Sequence, residues 1–312
     1  MAETFLARLK AASSHAAAGH HAAAAQTWQS LYTDATHHAA ALDQLQERLL
    51  LREAMACYES IPNLQLPAEI ASRALNDLAY CHSLLGEVEI ATKYFARAFA
   101  MQPNMATDDE AFHRSYNLGL AKTHTPESRR RRPRFHNLLK LFDSTAALDG
   151  DIAECGCFRG LSSYLLCARL RDIRPEFTGH GYLIFDSFQG LSIPTPHDQA
   201  PVSVEGNFAA SEAAVRSNLR EFPDIEFHPG WLPGTLEALP ERRYRFVHID
   251  VDLYEPTLGA LRYFYPRLVA GGCIVSDDYN WHGAKRAVHE VAELFAIKVW
   301  TTKTLQACIF KP

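Results

Sequence analysis

From residue 150 to the end of the chain, short segments rich in β-branched and aromatic residues alternate with longer helix-like segments. Seven of the short segments have the composition of strands: residues 151–156, 181–186, 225–230, 244–250, 272–278, 297–302 and 305–311. Parallel strands need long crossover connections, which helices commonly supply. The alternation therefore predicts an α/β fold, with a parallel sheet covered by helices on both faces.

The last two predicted strands are separated only by a short connection at Lys303 and Thr304. A connection of this length joins two strands as an antiparallel hairpin, because a parallel pair requires a much longer crossover. The sequence therefore predicts a seven-strand sheet in which the final strand runs antiparallel to its neighbours.

Residues 1–122 have a different texture, rich in Ala, Leu, His and Gln and almost without β-branched runs, which predicts helices. Residues 72–105 resemble a tetratricopeptide helix pair, with small residues at the helix crossing, a turn glycine, a groove-filling aromatic ring and a terminating proline. The matching residues are Leu78, Ala79, Gly86, Ala91, Phe95, Ala98 and Pro103. Two roles stay open for this region: a helical cap or dimerisation arm, or a surface that binds a peptide or carrier.

We expect three parts: a tetratricopeptide-like all-α domain over residues 1–122, a basic linker with a short amphipathic helix over 123–149, and the α/β domain over 150–312. The linker contains an arginine run, Arg129 to Arg132, followed by Pro133 and Arg134. Such a run is commonly a solvated segment. The alternative is that it forms one wall of an entrance for an anionic substrate.

The composition excludes several classes of protein. The net charge of -5 argues against a general nucleic-acid-binding protein. The chain has neither a run of about 18 apolar residues nor a basic leader followed by an apolar core, so we expect a cytoplasmic protein without a membrane segment. The seven cysteines are odd in number and mostly lie in apolar runs, as expected for buried reduced thiols.

Two glycines follow the first predicted strand, in the stretch Glu154-Cys-Gly156-Cys-Phe-Arg-Gly160. Ligands of open parallel sheets bind beyond the carboxyl ends of the strands, where a glycine lets the backbone turn sharply beside them. The loop lacks the GxGxxG pattern that cradles a dinucleotide pyrophosphate. A cofactor without phosphates is therefore favoured, although any tight junction between a strand and a helix can carry such glycines.

Candidate cofactor contacts also follow the second and third strands. Asp186 ends the second strand, and its carboxylate suits the two hydroxyls of a ribose; the alternative is a cap on the next helix. Gly230 and Trp231 end the third strand and suit a wall for adenine, although Trp231 could equally belong to the core.

The fourth and fifth strands end in acidic residues: Asp250, with Asp252 two positions later, and the pair Asp277 and Asp278. Adjacent strands lie about 5 Å apart, so these carboxylates meet at one edge of the sheet. Such crowding is unfavourable unless a cation neutralises it. The pattern predicts a divalent ion, Mg²⁺ in particular, although Asp252 or Asp278 could instead cap the following helices.

The C-terminal half resembles the macrocin O-methyltransferase (TylF-like) family of class I methyltransferases. The matching stretches, in the family's order, are AECGCFRG, FDSFQGL, EGNFAASEAAVRSNL, HPGWLPGTL and HIDVDLYEPTLGALRYFYPRLVAGGCIVSDDYNWHGAKRAV. The resemblance implies methyl transfer from S-adenosylmethionine to a substrate hydroxyl, with Mg²⁺ held at Asp250, Asp277 and Asp278. The implied contacts to S-adenosylmethionine are Glu154, which suits its amino group, and Gly156, Phe158, Gly160, Asp186, Ser187, Gly230, Trp231 and Asp250.

The expected function is therefore a Mg²⁺-dependent, or otherwise divalent-metal-dependent, O-methyltransferase. Its acceptor would be a small-molecule hydroxyl on a sugar or natural-product intermediate. Asp252 is the favoured general base and His282 the competing one, since a histidine titrates near neutrality. We also expect a homo-oligomer. Two rivals remain: an interaction protein that retains the methyltransferase fold as a relic, and a metal-dependent nucleotide-sugar enzyme, because IDVD contains a DxD pair.

Overall fold

The computed structural model describes residues 87–100, 109–125, 131–198, 205–237 and 239–312, with the single positions 11, 14, 18, 75, 78, 79 and 82. The chain divides into two compact units, Met1–Arg131 and Arg132–Pro312. Across the described part of the chain, no helix combines the length and the apolar character that crossing a membrane requires.

Two helices of the first unit are described, α1 (Val88–Ala100) and α2 (Glu110–Thr123), and they pack against each other. Helix α2 begins after Asp109, whose carboxylate accepts a hydrogen bond from the main-chain N–H of Phe112 (2.9 Å). This bond satisfies one of the amides that the first turn of a helix leaves without an acceptor. The helix ends at His124, in the left-handed region at φ 50°.

The side chains of four residues that match the tetratricopeptide pattern are described, and all four are buried: Leu78, Ala79, Ala91 and Ala98. Gly86, Pro103 and the side chain of Phe95 lie outside the described residues. Burial of small residues is what closely crossing helices require. The tetratricopeptide assignment stays a prediction.

The second unit is built on a sheet of seven strands. In chain order they are β1 (Asp151–Cys155), β2 (Tyr182–Asp186), β3 (Glu226–Pro229), β4 (Tyr244–Ile249), β5 (Leu268–Ser276), β6 (Val299–Thr301) and β7 (Ala307–Phe310). Their spatial order is β3-β2-β1-β4-β5-β7-β6. Strands β1 to β5 pair in parallel, whereas β7 pairs antiparallel with both β5 and β6. The predicted α/β sheet with its reversed final strand is confirmed.

Helices cover both faces of the sheet, as predicted. On one face the buried cluster contains residues of α3 (Arg131–Asp143), α4 (Leu161–Ile173) and α5 (Glu212–Asn218). On the other face it contains residues of α6 (Tyr254–Arg267) and α7 (His282–Phe295). The central strands β1, β2 and β4 are buried on both faces, as is typical of parallel sheets.

The predicted amphipathic helix after the arginine run is present, but α3 already begins at Arg131. Pro133 is tolerated there because first-turn amides have no acceptor within the helix. Arg132 is only 1% exposed and Arg134 contacts acidic side chains of the sheet edge. The solvated-segment interpretation is therefore wrong for these two residues.

Candidate active site

The register between β4 and β5 places two acidic residues side by side. Ile249 lies beside Ser276, and Asp250 and Asp277 are the next residues along the two strands. The main-chain N–H of Asp277 donates to the carbonyl oxygen of Ile249 (2.8 Å), which extends the pairing past the strand ends. The sheet thus brings Asp250 and Asp277 to one edge.

A histidine that the sequence interpretation did not single out joins these acids. Ligand atoms of His248, Asp250 and Asp277 all lie within 4.8 Å of one another. The ring of His248 is 1% exposed, and its Nε2 has no hydrogen-bond partner among the described residues, although Asp277 Oδ1 lies 3.9 Å away. An unpartnered buried nitrogen facing carboxylates suits a cation between them. His248 stands two residues before Asp250, and residues two apart on a strand share a face, which was the available signal.

The other ring nitrogen of His248 contacts a buried carboxylate. Its Nδ1 lies 3.1 Å from Glu154 Oε1, a contact that follows from the register of Glu154 beside His248. Histidines that ligate metals commonly donate their second N–H to a carboxylate in this manner. Although burial opposes charge on the ring, Asp277 and Glu154 raise the pKa of His248 to about 10. A metal ion would therefore have to displace a proton from this ring.

Asp278 lies outside the group formed by His248, Asp250 and Asp277, but it is hydrogen-bonded to Asp252. The main-chain N–H of Asp252 donates to Asp278 Oδ2 (3.0 Å), and Asp252 adopts φ 57°, in the left-handed region. Burial and the charges of Asp252, Asp250 and Asp277 hold the pKa of Asp278 well above its ordinary range. The acids are thus crowded in the way that a divalent cation would relieve.

The side chains of Arg134 and Gln306 both contact the carboxylate of Asp277. Its Oδ1 accepts a hydrogen bond from Gln306 Nε2 (2.6 Å), and its Oδ2 pairs with Arg134 Nη2. Burial by itself would raise the pKa of Asp277, but His248, Arg134 and Gln306 hold it below its usual value. Arg134 was predicted only as part of the linker or of an entrance wall. No local pattern connects it to an acid so far along the chain.

The predicted glycine turn lies against the acid cluster. Gly156 has φ 81°, and a β-carbon there would lie 2.0 Å from the carbonyl oxygen of Asp250. Gly160 has φ 88° and caps the start of α4, where a β-carbon would lie 3.3 Å from the side chain of Leu219. Both positions therefore require glycine, and Gly156 brings the loop after β1 into direct contact with the loop after β4.

The carboxylate of Asp186 organises this glycine turn. Its Oδ2 accepts hydrogen bonds from the main-chain N–H groups of Cys157 (2.8 Å) and Phe158 (3.2 Å), and its Oδ1 accepts one from Phe188 (2.8 Å). The helix-cap alternative is wrong, because the described residues 187–198 contain no helix. Oδ1 keeps a second lone pair, and the ribose contact stays a prediction.

Glu154, predicted to meet the amino group of the cofactor, is fully buried. Its Oε2 accepts hydrogen bonds from Ser163 Oγ and from Tyr182 Oη (2.8 Å), while Oε1 faces His248. Neighbouring side chains thus enclose the carboxylate in this structure. The geometry fits a residue that orients His248, and the contact with the amino group remains untested.

The loops after β2 and β3 meet beside the glycine turn. Gly230 donates its N–H to the carbonyl oxygen of Asp186 (2.9 Å), and Ser187 Oγ donates to the carbonyl oxygen of Gly190 (2.9 Å). Trp231 is 42% exposed, so the core alternative is wrong for this residue. An exposed indole at this edge remains compatible with a wall for a flat ring.

The two candidate bases have different surroundings. Asp252 is bonded through its backbone to Asp278, within the acid cluster. His282 is exposed at the start of α7, and its Nδ1 lies 3.0 Å from the carbonyl oxygen of His197. The connection to the acids therefore favours Asp252 over His282.

The matching family model covers nearly all of the second unit and extends into the first. A family model of macrocin-O-methyltransferases (TylF) matches residues 86–310, well over half of the sequence. The 8-demethyl-8-(2,3-dimethoxy-alpha-L-rhamnosyl)-tetracenomycin-C 4'-O-methyltransferase of Streptomyces olivaceus is 32% identical over 158 residues, which are 47% of this chain and 60% of that enzyme. The mycinamicin III 3''-O-methyltransferase of Micromonospora griseorubida is 29% identical over 181 residues, which are 53% of this chain and 69% of that enzyme.

Among solved structures, the calicheamicin methyltransferase CalS11 has a TM-score of 0.53 and 21% identity, covering 71% of this chain and 92% of that chain. Likeness at this level concerns the fold alone, and it agrees with the seven-strand α/β sheet. The family match covers the sheet together with its glycine turn and acidic strand ends. The chain belongs to the macrocin-O-methyltransferase (TylF) family.

Proposed function

We propose that this chain is an S-adenosylmethionine-dependent O-methyltransferase that uses Mg²⁺ or another divalent cation. Its acceptor is a hydroxyl group of a sugar or natural-product intermediate. One observation carries the proposal: the glycine turn at Gly156 lies directly against Asp250. Asp250 in turn belongs to the group of possible metal ligands formed with His248 and Asp277. A methyl donor on the turn and a hydroxyl on the acids would then be neighbours, and holding two reactants in line accounts for much of the rate of such transfers.

The loops around the glycine turn form the proposed cofactor site. S-adenosylmethionine, when bound, supplies a methyl group on a positively charged sulfur. Gly156 and Gly160 let the backbone approach the ligand closely. Asp186 holds the turn and keeps one lone pair of Oδ1 to accept a hydrogen bond from a ribose hydroxyl. The exposed ring of Trp231 offers a stacking surface for adenine. The remaining proposed contacts are Glu154, Phe158, Ser187, Gly230 and Asp250.

The acids fit a divalent cation by the chemistry of their donors. Asp250, Asp277 and Asp278 offer carboxylate oxygens, and the buried Nε2 of His248 adds an unpartnered nitrogen beside them. A cation held there would supply positive charge that lowers the pKa of a neighbouring hydroxyl. The raised pKa of Asp278 supports the same site, since the other acids make its ionisation unfavourable without added positive charge.

Asp252 is the proposed general base. The acceptor proton passes to its carboxylate while the acceptor oxygen forms the new bond to the methyl carbon and the carbon–sulfur bond breaks. Asp252 sits in the left-handed region, a conformation that costs about 1 kcal/mol in residues other than glycine and is often kept at functional sites. The hydrogen bond to Asp278 holds it in that position.

The acceptor class is proposed from the relatives. The tetracenomycin and mycinamicin enzymes both methylate a hydroxyl by their names, and the former acts on a rhamnosylated compound. This chain covers only part of the first of these enzymes, so the acceptor is proposed as a class. A sugar offers adjacent oxygens, as a site built on several carboxylates and a cation requires.

Methyl transfer from labelled S-adenosylmethionine to a panel of glycosylated acceptors tests the proposal. We expect transfer in the presence of Mg²⁺ and its loss in EDTA or in Asp277→Asn. A calorimetric titration with S-adenosylhomocysteine should show binding in the wild type. Undiminished transfer in EDTA would refute the metal requirement, and failure to bind S-adenosylhomocysteine would refute the activity itself.

A further inference from the structure

An arginine side chain lies inside the acid cluster. The side chain of Arg134, on α3, is 22% exposed, and its Nη2 pairs with Asp277 Oδ2 and lies 3.5 Å from Asp278 Oδ1. The same nitrogen also donates to the main-chain oxygen of Asp277. The guanidinium therefore contacts both acids that follow β5.

Other contacts hold this pairing in place. Gln306, which is fully buried, donates through Nε2 both to Asp277 Oδ1 (2.6 Å) and to the main-chain oxygen of Arg134 (3.3 Å). One turn further along α3, Asn137 donates to Thr304 Oγ1 (2.8 Å). Helix α3 is thus fastened to the turn between β6 and β7 at the edge of the cluster, so the position of Arg134 is determined from two sides.

The positive charge of Arg134 lies where a divalent cation would also be attracted. Arg134 contacts the same acids that a divalent cation would bind. An arginine is always ionised, and its planar group can contact two carboxylates together. A second cation at Asp277 would either displace the guanidinium or share a carboxylate with it at close range. In both cases the arginine opposes binding of the metal.

We propose that Arg134 is an internal counter-cation of the acid cluster, which pairs with Asp277 and Asp278 and weakens the affinity of the site for a divalent ion. This inference rests on the divalent cation of the proposed function. The ion would either displace Arg134 from the acids or share a carboxylate with it, so metal affinity is coupled to the position of α3. A guanidinium that merely fastens the helix would have the opposite effect, because its loss would disorder Asp277.

Calorimetric titration with Mn²⁺ tests the sign of this effect. Arg134→Met keeps the apolar stem and removes the charge, whereas Lys140→Met removes one charge from an exposed residue of the same helix. We expect Mn²⁺ to bind Arg134→Met about tenfold more tightly than the wild type, equivalent to about 1.4 kcal/mol. Lys140→Met should bind as the wild type does. In EDTA, Arg134→Met should melt at a lower temperature than the wild type, and Mn²⁺ should raise its melting temperature by more.

Equal or weaker Mn²⁺ binding by Arg134→Met would overturn the inference and leave Arg134 as a structural contact. Absence of Mn²⁺ binding in the wild type and in the variant would overturn both this inference and the metal of the proposed function. Binding that appears only in the variant would support the inference strongly. Should Arg134→Met fail to fold, Arg134→Gln replaces it, with the same expected direction and the same overturning result.

Discussion

A β-carbon on Gly156 would lie 2.0 Å from the carbonyl oxygen of Asp250. The loop after β1 and the loop after β4 thus touch through their backbones, with no side chain between them. The main-chain N–H of Asp250 also donates to the carbonyl oxygen of Cys155 (2.8 Å), which fixes the two loops relative to each other. Their contact joins the proposed cofactor turn to the acid cluster.

Replacing Gly156 by alanine should therefore disrupt both the proposed cofactor turn and the acid cluster. The new methyl group would collide with backbone, which cannot rotate away, and φ 81° is unfavourable for alanine. We expect a loss of more than about 2 kcal/mol in the free energy of unfolding, the sum of overpacking and backbone strain. Chemical denaturation measures the loss, and calorimetry with S-adenosylhomocysteine should show weakened binding.

Gly234→Ala is the matched control. A β-carbon at Gly234 would meet nothing within 4 Å, and this glycine does not adopt a positive φ. Its free energy of unfolding should stay within about 0.5 kcal/mol of the wild-type value. If Gly156→Ala were as stable and as competent in binding as this control, the proposed contact between the loops would be incorrect.

The roles of the two candidate bases can be separated by Asp252→Asn. Asparagine tolerates the left-handed backbone of this position, and the main-chain bond to Asp278 is unaffected by the change. The melting temperature should therefore not fall, and in EDTA it should rise because a charge that crowds Asp278 is removed. The value of kcat should fall by about 10²-fold or more, as expected for loss of a general base.

The corresponding change at the exposed residue, His282→Ala, should reduce kcat only slightly. It removes a contact with the carbonyl oxygen of His197 at the protein surface. Retained activity in Asp252→Asn together with its loss in His282→Ala would reverse the assignment of the base.

The stability of the metal-free protein should depend on pH through His248. Its pKa is raised to about 10, mainly by Asp277 and Glu154 acting against burial, whereas an unfolded chain has a histidine pKa of about 6.5. The folded state thus binds this proton more strongly. The associated stability is fully present below about pH 6.5 and is lost as the pH rises through about 10.

Thermal melts in EDTA between these pH values measure this loss. His248→Phe should have a shallower decline, because the titrating ring is gone, and a lower stability near neutrality, because Glu154 stays buried without its partner. An equally steep decline in His248→Phe would show that other groups cause the pH dependence.

Asp278→Asn should stabilise the metal-free protein and weaken its response to metal. Burial and the charges of Asp252, Asp250 and Asp277 raise the pKa of Asp278, so its ionised form is unfavourable at neutral pH. The amide oxygen of asparagine still accepts the bond from Asp252. We expect a higher melting temperature in EDTA and a smaller rise of that temperature on adding Mn²⁺.

Asp172→Asn is the control for removal of a negative charge. The side chain of Asp172 is 71% exposed and lies 4.0 Å from Arg169, so its loss should change stability by less than about 1 kcal/mol. A destabilised Asp278→Asn with an unchanged metal response would contradict the crowding of the acids.

Much of the site could be predicted because its residues follow strands. Asp250, Asp277 and Asp278 stand at the ends of predicted strands, and parallel strands bring their carboxyl ends to one edge. His248 was missed because it lies within a strand of buried residues, where a histidine resembles an ordinary core residue. The surroundings of Glu154 were also missed, since Ser163 and Tyr182 belong to other elements.

The sequence by itself determined the number of strands, the reversal of the last one and the positions of the acids at the strand ends. These features depend on local periodicity and turn length, which can be read from residues that are adjacent in the sequence. Only the tertiary structure decided that His248 Nε2 faces Asp277 and that Arg134 occupies the cluster. Both contacts join residues distant along the chain, and packing between elements sets their distances.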